Sequence, residues 1–389
     1  MATAATLQPA SALQYVPSAE DRLRHTLHPL ANSSSISEQL PDGFPSHISS
    51  PLAWDSGEMS SKAPEWTLRL SADDITSIED ALAGFKELEI PWRDLSPKSF
   101  AVSEDLRKRL ENAALGIHGA PGFVLVRGLE PRRYSIEDCI IIQAGLTSYI
   151  GSTRGYNGPS GADVLSDDIV SPTFTNKAMT MHTDLGDVVS LFTVHRGSEG
   201  GSFRLVSSAT IYNKLAVSNP GVLRTLSEDF VFDTLHPEVP SYKKPLLHYH
   251  DGKVILQSFR RPFSGFGNIK RSVQLPPLSD RQVFALNELY FQAMDLSMKI
   301  DFQNGDLLLF HNMALLHSRD TYKPDENSPR HLLKMFVRSE SLGWKIPPVL
   351  EDQWEELYGS RTVPHQEDFP PEPPFHAERV PYSGWAQNG

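Results

Sequence analysis

The second half of the chain is a series of short apolar runs separated by turn residues, and this pattern narrows the fold more than any other feature. Val188 to His195, Lys253 to Gln257, Gly305 to Phe310, Ala314 to Ser318 and His331 to Val337 each read as a strand. They lack the regular intervening helices that a parallel, doubly wound sheet requires, so an antiparallel architecture is expected. Helical signals cluster before and between the strands. Ser103 opens a stretch with Leu106, Leu110, Ala114 and Ile117 at helical spacing. Ser135 with Asp138, and Ser279 with Gln282, have the spacing of capping boxes. Gly122 to Val126 reads as a further short buried strand. The expected fold is mainly β with helices (α+β): a double-stranded β-helix, or jelly-roll, core with a helical N-terminal region and helical insertions.

The two ends follow other rules. Residues 1–61 are rich in Ser, Pro and Ala with little periodicity, so a loosely structured arm is expected there, held by anchors such as Trp54. From about Val363 the chain carries Pro364, Pro370, Pro371, Pro373, Pro374 and Pro381, which excludes regular helix or central strand. Residues 363–389 are therefore expected to be a surface-wrapping tail. A single domain, 62–362, lies between the ends. The formal net charge of −12 argues against a nucleic-acid partner, yet one local cation can still bind a small anionic substrate. No apolar stretch is long enough to span a membrane. The start of the chain lacks the features of a signal peptide. The lone Cys139 reads as a small core residue and excludes an internal disulfide. A cytoplasmic enzyme is the default expectation, and a homo-oligomer stays open.

Two separated segments suggest a metal centre on this scaffold. His182-Thr183-Asp184 places an imidazole and a carboxylate two residues apart, so on a strand both can reach one ion. The pattern alone is weak. With 14 His and 48 acidic residues, roughly two such matches arise by chance. His236-Pro237-Glu238, His365-Gln366-Glu367 and His376-Ala377-Glu378 repeat it. Only His182 and Asp184 stand beside a strong strand. His317, flanked by Leu315 and Leu316, is the third candidate, although a histidine so placed can equally be a satisfied core residue. His311 is its rival on the same segment. Two histidines and one carboxylate are the facial triad of non-haem Fe(II) sites.

Arg330 follows at the head of an apolar strand. Its planar fork can grip a carboxylate as a lysine cannot; a surface ion pair is the competing use. Leu332, Lys334 and Phe336 share its strand face. Lys334 lies ~13 Å along from Arg330, at ~3.3 Å per residue. It is expected to meet an anionic group on a substrate, with Phe336 and Leu332 shaping the pocket. Pairing with a buried acid is the alternative.

Several elements now stand in order: Arg127-Gly128 after a strand, Tyr149-Ile150-Gly151, His182-Thr183-Asp184, Gly200-Gly201, Ser207 to Asn213, Gly305-Asp306, His317-Ser318-Arg319 and Arg330 to Lys334. Together they resemble the taurine dioxygenase family of Fe(II)/2-oxoglutarate oxygenases, in the broad branch with clavaminate synthase-like and fungal members. The resemblance runs from about Trp66 to Trp354. It implies that His182, Asp184 and His317 bind iron and that Arg330 holds the distal carboxylate of 2-oxoglutarate. Ser202 corresponds, with a displaced hydroxyl, to a Thr or Ser that touches that cosubstrate in relatives. Lys334 stands where relatives often carry a second arginine.

The resemblance implies Fe(II), 2-oxoglutarate and O2, with release of succinate and CO2 as a substrate C–H bond is oxidised. Asp184 argues against halogenation, because halogenases of this superfamily have a small residue there. The expected substrate is a small molecule, an amino acid or natural-product intermediate of secondary metabolism and carboxylate-bearing. Hydroxylation, desaturation and oxidative cyclisation remain open. Two other classes compete. A non-catalytic metal-binding jelly-roll sensor would keep the site without turnover. A zinc-dependent hydrolase would use the same three residues to activate water, but leaves Arg330 without a role.

Overall fold

The computed structural model describes residues 13–31, 39–91, 94–155, 172–234, 239–325 and 329–359. The proline-rich tail and the three other His-x-acid matches lie outside them. Two sheets build the jelly-roll. The six-stranded sheet runs β1 (Thr67–Arg69), β2 (Phe123–Arg127), β12 (Leu307–His311), β5 (Val188–His195), β14 (His331–Arg338) and β3 (Thr153–Gly155). The four-stranded sheet runs β11 (Met298–Ile300), β6 (Phe203–Ser207), β13 (Leu315–Arg319) and β4 (Met179–His182). Every pairing is antiparallel except β1 with β2. Two hairpins, β7 (Phe230–Asp233) with β8 (Ser241–Lys244) and β9 (Leu247–His250) with β10 (Lys253–Leu256), flank the core.

The apolar runs read as strands because both of their faces are covered. On β12, Leu308 and Phe310 enter the layer between the sheets, where they meet Phe203, Leu205 and Leu315 of the opposite sheet. Leu307 and Leu309 point the other way, into a second core with Ile78, Leu106, Leu110 and Ile142 of the helices Ala72–Glu87, Glu104–His118 and Ile136–Ser148. Strand β14 repeats this division: Leu332 and Phe336 face inward, Leu333, Met335 and Val337 outward. The helix starts follow local rules. Ser135 with Asp138 and Ser279 with Gln282 form complete capping boxes, and the Ser103 side chain accepts from Leu106 N. Each such cap is worth about 1 kcal/mol.

Gly305 shows why the turn into β12 needs glycine. Its φ is +89°, and a Cβ there would lie 1.9 Å from the Leu129 carbonyl oxygen. Beside it Arg127 grips the buried Asp306 in a two-point ion pair, with Nε–Oδ1 2.8 Å and Nη2–Oδ2 2.6 Å. This joins the end of β2 to the start of β12.

The N-terminal segment is held more firmly than its composition suggests. Helix Ala19–Thr26 docks on helix Asp280–Asp295 through Arg22 with Asp295 and His25 with Glu288. Ile48 exchanges two backbone hydrogen bonds with the Asn213 side chain, and the Trp54 indole donates to Pro121 O. These partners lie far along the chain, which is why local periodicity does not reveal them. Near the β8 end, the fully buried Lys244 donates to Gln257 Oε1 (2.9 Å) and Gln353 Oε1 (3.0 Å). The rings of Phe232, Tyr242 and Phe259 surround its ammonium at 5.5–5.8 Å. Among the described residues, no helix is long and apolar enough to cross a membrane.

Candidate metal centre

In the four-stranded sheet His317 of β13 pairs directly with His182, the last residue of β4. The chain leaves the strand at that point because Thr183 turns aside. Its N–H donates to Ser258 O, and its hydroxyl accepts from Ser258 N. Asp184 therefore reaches the two imidazoles from a loop. All three side chains are buried, and one ligand atom from each lies within 4.8 Å of the others. His182 Nε2 is 3.8 Å from Asp184 Oδ1, and His317 Nε2 is 3.6 Å from Asp184 Oδ2.

These groups suit a divalent cation. His182 Nδ1 lies 2.7 Å from Thr180 O, which places its proton on that nitrogen. The lone pair is then on Nε2, a buried atom with no hydrogen-bond partner. Burial lowers the pKa of both histidines, so both are neutral and able to ligate. A carboxylate and two neutral imidazoles form the donor set of an N2O metal site.

Asn312 shapes the loop that carries Asp184. Its Oδ1 accepts from Asp184 N (2.8 Å), its Nδ2 donates to Asp184 O and Gly186 O, and its own N–H donates to Asp187 O. Asp187 in turn accepts from Trp354 Nε1 and Arg338 Nη1, each at 2.6 Å, while burial pushes its pKa up to about 6. Nothing in the sequence singles out Asp187. The visible signal for Asn312 was a lone amide within the apolar segment that ends at His317.

His311 belongs elsewhere. The turn at residues 312–314 breaks the strand, so His311 does not share the facing of His317. It packs against Trp344 and His118, with ring centroids 4.3 and 5.2 Å away. A cleft of about 330 Å³ lined in part by Trp344 contains none of the three grouped residues.

Arg330 is half-buried, and its Nε has no hydrogen-bond partner. Among the described residues no carboxylate pairs with it. Burial and the neighbouring Arg319 push its pKa down to about 10. The Tyr322 ring lies 5.6 Å from its guanidinium and 5.0 Å from that of Arg319. Gly201, with φ +71°, allows this approach, since a Cβ there would be 3.0 Å from Arg330 Nε. Ser202 follows Gly201 and accepts from Asp320 N through its carbonyl. Lys334 points inward and donates to Asp184 Oδ2 at 3.1 Å, with Phe336 beneath its ammonium at 5.3 Å. Leu332 and Phe336 pack into the inner layer on either side.

The family described as "Taurine catabolism dioxygenase TauD, TfdA family" matches residues 92–336. The taurine hydroxylase-like protein SAT17 of Stachybotrys chartarum is 30% identical over 339 residues, covering 83% of this chain and 88% of the relative. FR-33289 synthase of Streptomyces rubellomurinus is 22% identical over 306 residues, covering 74% and 89%. Among solved structures, asparagine oxygenase superposes with a TM-score of 0.51 at 15% identity, over 70% of this chain and 93% of that one. The non-haem iron oxygenase OrfP, solved with Fe and alpha-ketoglutaric acid, superposes with 0.51 at 14% identity, over 70% and 94%. The two superpositions establish the shared jelly-roll fold.

Proposed function

Because the chain belongs to the TauD/TfdA family of taurine catabolism dioxygenases, we propose that it works as an Fe(II)/2-oxoglutarate-dependent dioxygenase on a small molecule. One observation carries this reading. Two neutral imidazoles and a buried carboxylate share one atom-sized site, and the same barrel holds a half-buried guanidinium that lacks a carboxylate partner among the described residues. His182, Asp184 and His317 would hold the metal, leaving open positions for other ligands. Iron bound there with 2-oxoglutarate and O2 supplies the oxidising power, with succinate and CO2 as co-products.

The chain's own residues bind, orient and exclude water. Arg330 offers its fork to the distal carboxylate of 2-oxoglutarate, and Tyr322 and Gly201 keep that fork in place. Ser202 stands beside it as a further polar neighbour of the cosubstrate. Leu332 and Phe336 wall the inner face, and Phe203 and Phe310 pack on the His317 ring, which keeps the centre dry. The cation of Lys334 at the metal carboxylate favours a substrate with an anionic group, such as an amino acid or a natural-product acid. Such a group would meet Lys334 in competition with Asp184.

The reading is tested by anaerobic titration with Fe(II) and 2-oxoglutarate, following the visible absorption of the chelate. Small acids are then screened for coupled succinate release. Wild type should develop the band and release succinate, and His182→Ala should do neither. Succinate release that survives His182→Ala, or wild type without the band, would refute it.

A further inference from the structure

Asp184 has two oxygens in unlike surroundings. Oδ1 lies 3.8 Å from His182 Nε2. Oδ2 lies between Lys334 Nζ at 3.1 Å and His317 Nε2 at 3.6 Å. Lys334 is the one lysine or arginine paired with this carboxylate among the described residues. The position is built into the strand. Leu332 and Phe336 on either side pack inward, so alternation forces Lys334 to the same face. In register it stands opposite Leu191 of β5, and its ammonium lies over the Phe336 ring. Its stem cannot easily turn away.

A divalent metal at the grouped residues would therefore lie close to a fixed positive charge. We propose that Lys334 is a positioning residue that couples the metal to its anionic cosubstrate. It occupies one oxygen of Asp184, opposes a bare dication, and ceases to oppose it once a dianion shares the site. The proposal rests on the reading of His182, Asp184 and His317 as the metal centre. Two effects compete. Fixing the Asp184 side chain helps the metal by at most about threefold, the number of staggered wells the carboxylate would otherwise sample. A like charge beside a dication works the other way and is the stronger of the two, because at a partly buried site it is only partly screened. The Lys334 side chain is 28% exposed, so water removes some of the repulsion. A net effect of about tenfold is expected.

The experiment measures Co(II) affinity from its visible d–d absorption, with and without 2-oxoglutarate, for wild type, Lys334→Met and Lys334→Arg. Methionine keeps the stem against Phe336 and removes the charge; arginine keeps the charge. Lys334→Met should bind Co(II) alone about tenfold more tightly than wild type. The factor by which 2-oxoglutarate tightens Co(II) should shrink by a similar amount. Lys334→Arg should stay within about threefold of wild type on both counts. A merely structural lysine would weaken metal binding when replaced and leave the coupling factor alone. If Lys334→Met binds Co(II) no more tightly, or shows the wild-type coupling factor, the proposal is overturned while the metal centre stands. Wild type that takes up no Co(II) under either condition removes the metal centre, and this proposal with it.

Discussion

Replacing Arg330 with methionine should raise the stability of the cosubstrate-free protein and abolish its response to 2-oxoglutarate. Each tenfold change in proton affinity is worth about 1.4 kcal/mol. Lowering of the Arg330 guanidinium from its ordinary value to about 10 therefore corresponds to about 3 kcal/mol of unfavourable, partly buried charge. The sign follows from linkage. A base with a depressed folded pKa carries the full penalty at every pH below that value, so neutral solution shows all of it. Partial exposure and the Tyr322 ring offset a share, which leaves about 1–2 kcal/mol for methionine to recover. For a chain of 389 residues that is a rise of roughly 1–2.5 °C in Tm.

Ligand reverses the order. At a hundred times Kd, 2-oxoglutarate stabilises wild type by about 2.7 kcal/mol. The variant loses two charge-assisted hydrogen bonds of about 1.5–3 kcal/mol each, a weakening of roughly a hundredfold or more. Differential scanning calorimetry with Mn(II), with and without 2-oxoglutarate, should show the two melting curves exchange places. A variant that melts lower without ligand and keeps the full ligand shift would refute the reasoning.

Other consequences can be checked separately. Asn312→Ala removes the partners of Asp184 N, Asp184 O and Gly186 O; Co(II) affinity should fall about 10–100-fold, and an unchanged titration would show the loop holds itself. Burial pushes Lys244 down to about 7, so its folding penalty is complete below that pH and is relieved as pH rises towards 10.5. Urea unfolding should show wild type gaining stability on Lys244→Met by up to about 1.4 kcal/mol per pH unit across that window, and parallel pH profiles would count against it. His118 is pushed down to about 4 by burial, so the stability it contributes is intact above pH 6.5 and is lost as pH falls towards 4. His118→Phe should flatten the acid limb of the Tm profile in that interval, and an unaltered limb would exclude this cause.

The chain disclosed its architecture where the rule is local. The Ser135 and Ser279 caps depend on residues three positions away, and the strands of the second half depend on runs of apolar side chains buried on both faces. Grouping of His182, Asp184 and His317 was legible because two stood together and the third closed an apolar run. The choice between His317 and His311 was not a matter of period. It turned on residues 312–314, which interrupt the strand. Asn312 and Asp187 were hidden because their partners are Asp184, Gly186, Trp354 and Arg338, most of them far along the chain. The order of the N-terminal segment was hidden for the same reason, since Asn213 holds Ile48 across 165 positions. For Lys334, the spacing allowed either a substrate anion or a buried acid, and only the folded chain shows that the acid is Asp184 itself.

The turn at residues 312–314 has one more implication. It carries the backbone from one sheet to the other, supplies His317 a few residues later, and grips the Asp184 loop through a single amide. Two of the three candidate donors thus travel with one short piece of main chain. The spacing between Asp184 and His317 is therefore set by this one short segment of main chain, and not by the fit of the two sheets.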